Sequence, residues 1–254
     1  MRAPQLQGHL VNDMKFYDMH VKSNFSTGTS SVMELARFAK ELGFAGITIC
    51  DKFESVEKLR LAKDEMKNAE REIGIEIYPG VSIEAANPID MKQMLSKVRE
   101  HALIVAVSGG SYAMNRAACE DSRVDILFHP ELGRNDSGLD AICMNAAAAN
   151  NVAIGIDFRN ILYSFRRSRG TLLANLATVL KLAEHSKVRV VVCSGANSIW
   201  EMRDPRELIS IVNVLGMELG KSFQCLSDIP SAMVEANKKK LMGTTVTEGV
   251  DVIG

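Results

Sequence analysis

The feature that most constrains the fold is an alternation of two apolar patterns, repeated seven times along the chain. Short runs rich in β-branched residues are each followed by a longer stretch with helical spacing. The strand-like runs are KFYDMHV (15–21), AGITIC (45–50), IEIYPGVSI (75–83), LIVAVSG (103–109), VDILFH (124–129), VAIGIDF (152–158) and VRVVVCSG (188–195). They are short and apolar throughout, as parallel strands buried on both faces are. The first helix is expected in SSVMELARFAKELG, with Ser30 or Ser31 as N-cap and Gly43 beyond its end. A charged helix from about Glu54 to Glu72 follows, then one opened by Asn87-Pro88 and a short one near Tyr112 to Cys119. Later helices are expected from about Ser137 to Asn150, from about Thr171 to His185, and from Asp204-Pro205. SDIPSAMVEANKKKL reads as a capped terminal helix.

Seven β-α units fit an open doubly wound sheet or a closed barrel. No G-x-G-x-x-G follows the first strand, which removes support for a dinucleotide fold. The expected fold class is therefore α/β, a TIM-like (β/α) barrel of seven to eight parallel strands. The 254 residues are expected to form one barrel domain, ordered from about 15 to 240, with tails at 1–12 and 241–254. Hydrophobic residues make up 46% and charged residues 24%, enough for a large core. No apolar run reaches the roughly 18 residues of a membrane span, and MRAPQLQGHLVND lacks the apolar stretch of a signal peptide. A cytoplasmic protein with no membrane partner is expected. Five widely spaced cysteines without a C-x-x-C fit that compartment and read as small buried hydrophobes.

In a (β/α) barrel, function sits at the C-terminal ends of the strands. The polar residues closing the strands therefore surround one mouth. They are Asp18, His20 and Lys22; Asp51 and Lys52; Ser82 and Glu84; Ser108; His129; Asp157 and Arg159; and Ser194 and Asn197. A hydrolytic metal cluster needs several His, Asp or Glu ligands in one volume. This mouth supplies His20, His129 and a few acids, but it also holds Lys22 and Lys52. A protonated ammonium does not ligate a metal, and it repels a cation. Lys22 and Lys52 are instead expected to pair with Asp18, Asp51, Glu84 or Asp157.

Five of these strand ends resemble the PHP (polymerase and histidinol phosphatase) barrel with most ligands replaced. Asp18-Met19-His20-Val21-Lys22-Ser23 stands where that family has Asp-x-His-x-His-Ser. Asp51-Lys52 stands where a strand ends in Asp-His, and Pro79-Gly80-Val81-Ser82-Ile83 resembles Pro-Gly-x-Glu-Ile. Phe128-His129-Pro130 keeps its histidine, while Ser194-Gly195-Ala196-Asn197 resembles Ser-Asp-Ala-His with both ligands gone. The degenerate metal positions are thus His20, Lys22, Lys52, Ser82, His129, Gly195 and Asn197, and no bound metal is expected. One branch of that superfamily carries the same departures, the archaeal ribonuclease P protein component 3 family. The resemblance runs from about Phe16 to Leu241 and is most specific in VRVVVCSGANSIWEMRDPREL (188–208) and SDIPSAMVEANKKKL.

That resemblance implies a non-catalytic protein subunit of a ribonucleoprotein that removes 5′ leaders from precursor tRNA. The RNA subunit would carry the chemistry and require Mg2+, while this chain binds no cofactor. The implied partners are the ribonuclease P RNA, precursor tRNA and a small ferredoxin-like protein subunit in a heterotetramer. Charge fits independently. Net charge is only −1, yet Phe158 to Arg206 holds nine Lys/Arg against three Asp/Glu. NILYSFRRSRG (160–170) is expected to be a basic loop, with Tyr163 and Phe165 among its arginines. Such a loop suits phosphate contact and stacking on unpaired bases. Candidate RNA contacts are Arg159, Arg166, Arg167, Arg169, Arg203, Arg206 and Lys238. Ion pairing of Arg203 or Arg206 with Glu201 or Asp204 is the plainer alternative.

Other readings stay open. His20 and His129 are remnant ligands or hydrogen-bonded core histidines. Ile199 and Trp200 form a protein-docking surface or pack in the core. A metal-dependent phosphoesterase with a reduced site of His20, His129, Asp51 and Glu84 is the main functional alternative. A sugar-phosphate enzyme using Lys22 or Lys52 is a third.

Overall fold

The computed structural model describes residues 14–242 and two short strands, 245–247 and 250–251. Seven parallel strands form one sheet in sequence order: β1 (Tyr17–Val21), β2 (Gly46–Lys52), β3 (Glu76–Ile83), β4 (Ile104–Ser108), β5 (Ile126–Phe128), β6 (Ala153–Asp157) and β7 (Val190–Cys193). The sheet curls into a nearly closed barrel. At the mouth, Lys22 N–H donates to Ala196 O at 2.8 Å, joining the first strand to the segment after the last. At the other end the seam is filled by chain returning from the C-terminal half, where Leu226 O accepts from Tyr17 N–H at 2.9 Å. Asp18 crosses the seam between these points and accepts from Ser194 N–H at 3.1 Å. The seven-stranded, TIM-like expectation is met, with the barrel closed at the mouth by one backbone bridge.

The α-helices are α1 (Val32–Glu41), α2 (Val56–Ile73), α3 (Pro88–Val98), α4 (Tyr112–Cys119), α5 (Ala141–Ala149), α6 (Phe158–Tyr163), α7 (Arg166–Ser186), α8 (Pro205–Val214), α9 (Leu219–Gln224) and α10 (Asp228–Leu241). The expected helices are present, and α6 and α9 are additional to them. Ser31 caps α1 in a reciprocal box with Glu34, and Gly43 follows its end at φ +90°. Asn87 and Asp204 cap the helices that open with Pro88 and Pro205. Two boundaries differ. Asp140, not Ser137, caps α5, because residues 131–138 turn back at Gly133 and Gly138 (φ +72° and +69°). The segment 160–170 is not a loop: it is helical except for Ser164 and Phe165, which separate α6 from α7. Of the expected tails, 1–12 lies outside the described residues, and within the C-terminal one Thr245–Thr247 pairs antiparallel with Val250–Asp251.

The core has two parts. Outward strand residues such as Ile47, Ile49, Val105 and Val107 pack under the helices. Inside the barrel lie Tyr17, Met19, Cys50, Tyr78, Ile104, Ile126, Phe128 and Val191. Met233 and Val234 of α10 plug the end away from the mouth. Each buried large aliphatic stabilises by about 1.5–3 kcal/mol. Phe128 also sets the floor of the mouth. Its ring fills the space where a Cβ at position 155 would stand, so β6 needs Gly155 there. All five cysteines are buried and unpaired, as expected.

Candidate functional site

Three strand ends converge at the mouth. β1 brings His20, the residue after β5 brings His129, and the end of β6 brings Asp157. His20 Nδ1 lies 2.8 Å from Asp157 Oδ2, and His129 Nε2 lies 3.1 Å from the same oxygen. The pairing register slips between Asp18 and Val21, so Met19 and His20 both turn inward while Val21 faces the helices. Bulges re-aim side chains in this way. The His20 ring then stacks on Phe128, with centroids 4.2 Å apart. His129 sits at φ +55°, uncommon for a residue before proline, and is held there by Asp157 and by the Asn160 amide 2.7 Å from its Nδ1.

Burial would raise the Asp157 carboxyl, but the two imidazoles outweigh it and hold the group well below the carboxylate range. Burial lowers His20 despite Asp157. For His129 burial acts the same way, yet its bond to Asp157 and that carboxylate's charge carry it above the usual histidine value. His20 meets Asp157 through Nδ1, and its buried Nε2 meets no partner among the described residues. Asp157 Oδ1 and Asp18 Oδ2 are likewise buried without a partner. Burial raises Asp18 to about 7.

The lysines pair as expected, and both choose Glu84. Lys52 Nζ lies 3.0 Å and Lys22 Nζ 3.5 Å from its carboxylate oxygens. Asp51 is committed elsewhere, accepting from Ser23 N–H, Ser23 Oγ and Ser26 Oγ at 2.6–2.7 Å. The grouping His20, His129, Asp51 and Glu84 is thus not brought together. The structure substitutes Asp157, and the ligand atoms of His20, His129 and Asp157 all lie within 4.8 Å of one another. These three could hold one metal ion. Gly195, at φ +64°, leaves room for Asp157; a Cβ there would lie 2.7 Å from its Cγ. Ser82 is buried on β3, and the Asn197 backbone N–H donates to Glu201. Asp157, Asp18 and Glu201 tie the site together and are the positions that sequence reasoning underused. The signal for Asp157 was its place at a strand end.

The basic segment is built on α6 and α7. Arg159 Nε lies 2.8 Å from Glu201 Oε2, its guanidinium lies over the Tyr163 ring at 4.6 Å, and Tyr163 donates to Glu201 Oε1 at 2.5 Å. Arg166 takes φ +45° at the junction of the two helices. Arg166, Arg167 and Arg169 crowd the first turn of α7, which has no acidic residue. Arg169 turns back to cap α6, donating to Ser164 O at 2.8 Å and to Leu162 O at 3.3 Å. Arg203 joins this surface over the Phe158 ring at 5.0 Å, bonded to the carbonyls of Trp200 and Met202 rather than to an acid. Trp200 is 81% exposed, which settles it as surface, while Ile199 packs against the core. Two candidates lie apart. Arg206 borders Met14, Phe16, Leu42 and Gly43 near the start of β1. Lys238 is on α10 at the plugged end, beside Glu235 and the Tyr78 ring.

Comparison with known proteins agrees with this geometry. The family RNase P subunit p30 matches residues 15–241. Ribonuclease P protein component 3 of Methanosarcina mazei is 34% identical over 239 residues, covering 94% of this chain and 96% of that protein. The protein of the same name from Methanosarcina acetivorans is 34% identical over 244 residues, covering 94% and 98%. A chain in the cryo-EM structure of archaeal Ribonuclease P with mature tRNA superposes with a TM-score of 0.79 at 25% identity, covering 93% of this chain and 98% of that one. Histidinol phosphate phosphatase from Lactococcus lactis shares the fold, with a TM-score of 0.58 at 10% identity over 80% of this chain and 95% of that one. The seven-stranded barrel, its depleted mouth and this agreement over nearly the whole length place the chain in the RNase P subunit p30 family.

Proposed function

We propose that this chain is a protein subunit of ribonuclease P that binds the catalytic RNA and supports it in removing the 5′ leader of precursor tRNA. The observation that carries the reading, beside the family, is the start of α7. Three arginines occupy a helix N-terminus where the macrodipole already favours anions and no acidic side chain answers it. Phosphates of an RNA backbone complete such a site. Arg159 and Arg203, adjacent through Glu201 and Phe158, extend the same surface. Contacts of this kind fix position and leave sequence to other groups.

In this reading the barrel mouth is architectural. The Asp157–histidine cluster and the lysine–glutamate pairs hold the strand ends without a metal, and Mg2+ serves the RNA. A small ferredoxin-like protein subunit completes a heterotetramer with this chain in the cytoplasm. The exposed Trp200 suits a protein contact, since aromatic anchors are enriched in such interfaces. A second reading draws on the three ligand atoms of His20, His129 and Asp157, which suit a single-metal phosphoesterase. Equilibrium binding of ribonuclease P RNA to the purified chain at several salt concentrations tests the first reading. Binding that weakens steeply with salt supports it. Absence of binding, together with stoichiometric tight zinc or manganese and phosphoesterase activity lost in His20→Ala, would favour the second.

A further inference from the structure

Away from the mouth, a groove of about 290 Å3 runs between the last turns of α7, the start of β7 and the turn that joins α8 to α9. Its floor is aliphatic: Leu180, Val188 and Val190 are buried there, and Leu215, Met217 and Ile229 are half-buried. No aromatic ring lines it. The volume falls just below the roughly 300–1,000 Å3 that encloses a whole small ligand, and it suits one or two aliphatic side chains. The same turn carries further apolar surface: Val214, next to Leu215, is 83% exposed and Leu219 is 40% exposed. Around the rim stand Lys181, Lys187, Arg189 and Lys221. Glu184 is the one acid in the lining, and Lys221 takes it at 2.6 Å. Arg189 donates to the Asn151 carbonyl, and Lys181 and Lys187 meet no acid among the described residues. Lys187 ends α7 at φ +57°, a left-handed position usually given to glycine. The chain thus keeps a cation at the rim where glycine would be less strained.

We propose that this groove docks a segment of a protein partner that carries aliphatic side chains flanked by aspartate or glutamate. An exposed aliphatic slot is a ready anchor site for a partner's side chain. A ring of cations around one acid that is already paired calls for carboxylates on that partner, because interfaces are electrostatically complementary. An RNA strand is the poorer fit, since unpaired bases are held by aromatic rings and the lining has none. Helix α7 links this site to the arginine surface. Its 21 residues span about 30 Å at 1.5 Å per residue. One end of α7 therefore faces RNA phosphates in the reading above, and the other end is free to hold a protein at the same time. The inference goes beyond that reading and stands on different residues.

The test uses the full chain and three synthetic peptides. The first places two leucine pairs among aspartates, the second replaces the leucines by alanine, and the third replaces the aspartates by lysine. Fluorescence anisotropy is expected to show the first peptide binding about tenfold more tightly than either control. Gln224→Trp, which fills the groove from the end of α9, should abolish that preference while the melting temperature stays near that of the parent. Lys187→Gly should weaken the first peptide about threefold with the melting temperature unchanged or raised, since glycine suits the left-handed position. No binding, equal affinity for the three peptides, or a preference that survives Gln224→Trp would overturn the proposal. In parallel, a photo-cross-linking amino acid replaces Gln224 in ribonuclease P reconstituted from its RNA and protein subunits. A cross-link to an acidic, aliphatic segment of another protein subunit is the expected result. A cross-link to RNA, to a second copy of this chain, or to nothing in an assembled particle would overturn the assignment. Failure of the chain to enter the particle removes the subunit reading alone, and the peptide affinities still decide the groove.

Discussion

Lys52 Nζ lies 3.0 Å from Glu84 Oε2, and that carboxylate is the counter-ion for Lys22 as well. Two ammoniums thus stand at the mouth of the barrel, held by one acid. Glu84 is half exposed and held below its usual range: burial alone would raise it, but the two lysines outweigh burial. Lys22 is the more buried cation, with its side chain 15% exposed against 42% for Lys52. Lys52→Ala should therefore cost under about 1 kcal/mol, as exposed pairs do. Lys22→Ala should cost about 1–2 kcal/mol, because its stem is packed too. Thermal melts read this as a fall of about 2–4 °C per kcal/mol for a domain of this size. An unchanged melting temperature in Lys22→Ala, with folding intact, would remove the role of the Lys22–Glu84 pair in holding the strand ends.

Asp157 carries the second prediction. It accepts from both histidines inside the mouth. Asp157→Ala leaves two buried rings without their acceptor and should cost about 3–5 kcal/mol. Asp157→Asn keeps an acceptor and should cost about 1–3 kcal/mol. The sharper readout is His129. Its pKa stands above the usual value because of Asp157, so NMR titration of the ring should shift downward in Asp157→Asn. A ring pKa unmoved by that change would show that Asp157 does not set its charge.

Asp18 makes stability fall with rising pH. Its folded value is about 7 against 3.8 when solvated, so the folded chain binds the proton more tightly. The stabilisation is full below about pH 4 and is lost as pH rises through about 7. Asp18→Asn keeps an oxygen for the Ser194 N–H and cannot ionise. Relative to the variant, the parent should lose roughly 2–4 kcal/mol between pH 4 and 8. The difference between the two stability curves isolates Asp18 from the histidines of the mouth. A flat difference curve would contradict the assignment.

Much of this molecule was legible in its sequence. Seven strand-like runs fall on seven strands, and Ser31, Asn87 and Asp204 cap the helices they were expected to open. The pairing of Lys22 and Lys52 with an acid was legible because all three close neighbouring strands. The segment 160–170 was not. FRRSRG shows no apolar period, so it resembles a loop, yet α6 and α7 meet there end to end. Arg169 supports the junction by capping α6, a tertiary role that composition does not reveal. Nor was the union of His20, His129 and Asp157 visible. It depends on a register slip in β1 and on a left-handed His129 held by tertiary contacts to Asp157 and Asn160, none of which a linear pattern reveals.

That dual role of the arginines gives a fourth prediction. Replacing Arg166 and Arg167 should reduce the slope of log K against log salt by about 0.7 for each single-strand phosphate that is no longer neutralised. Arg169→Ala should mainly lower thermal stability through the end of α6. A salt slope unaltered by the double replacement would take this helix start out of the RNA interface.

The most direct measurement is reconstitution of ribonuclease P from its RNA and protein subunits, with and without this chain. Cleavage of precursor tRNA at low Mg2+ is expected to fall sharply when the chain is omitted and to return when it is added back. Cleavage unchanged by omission would contradict its role as a subunit that supports the catalytic RNA.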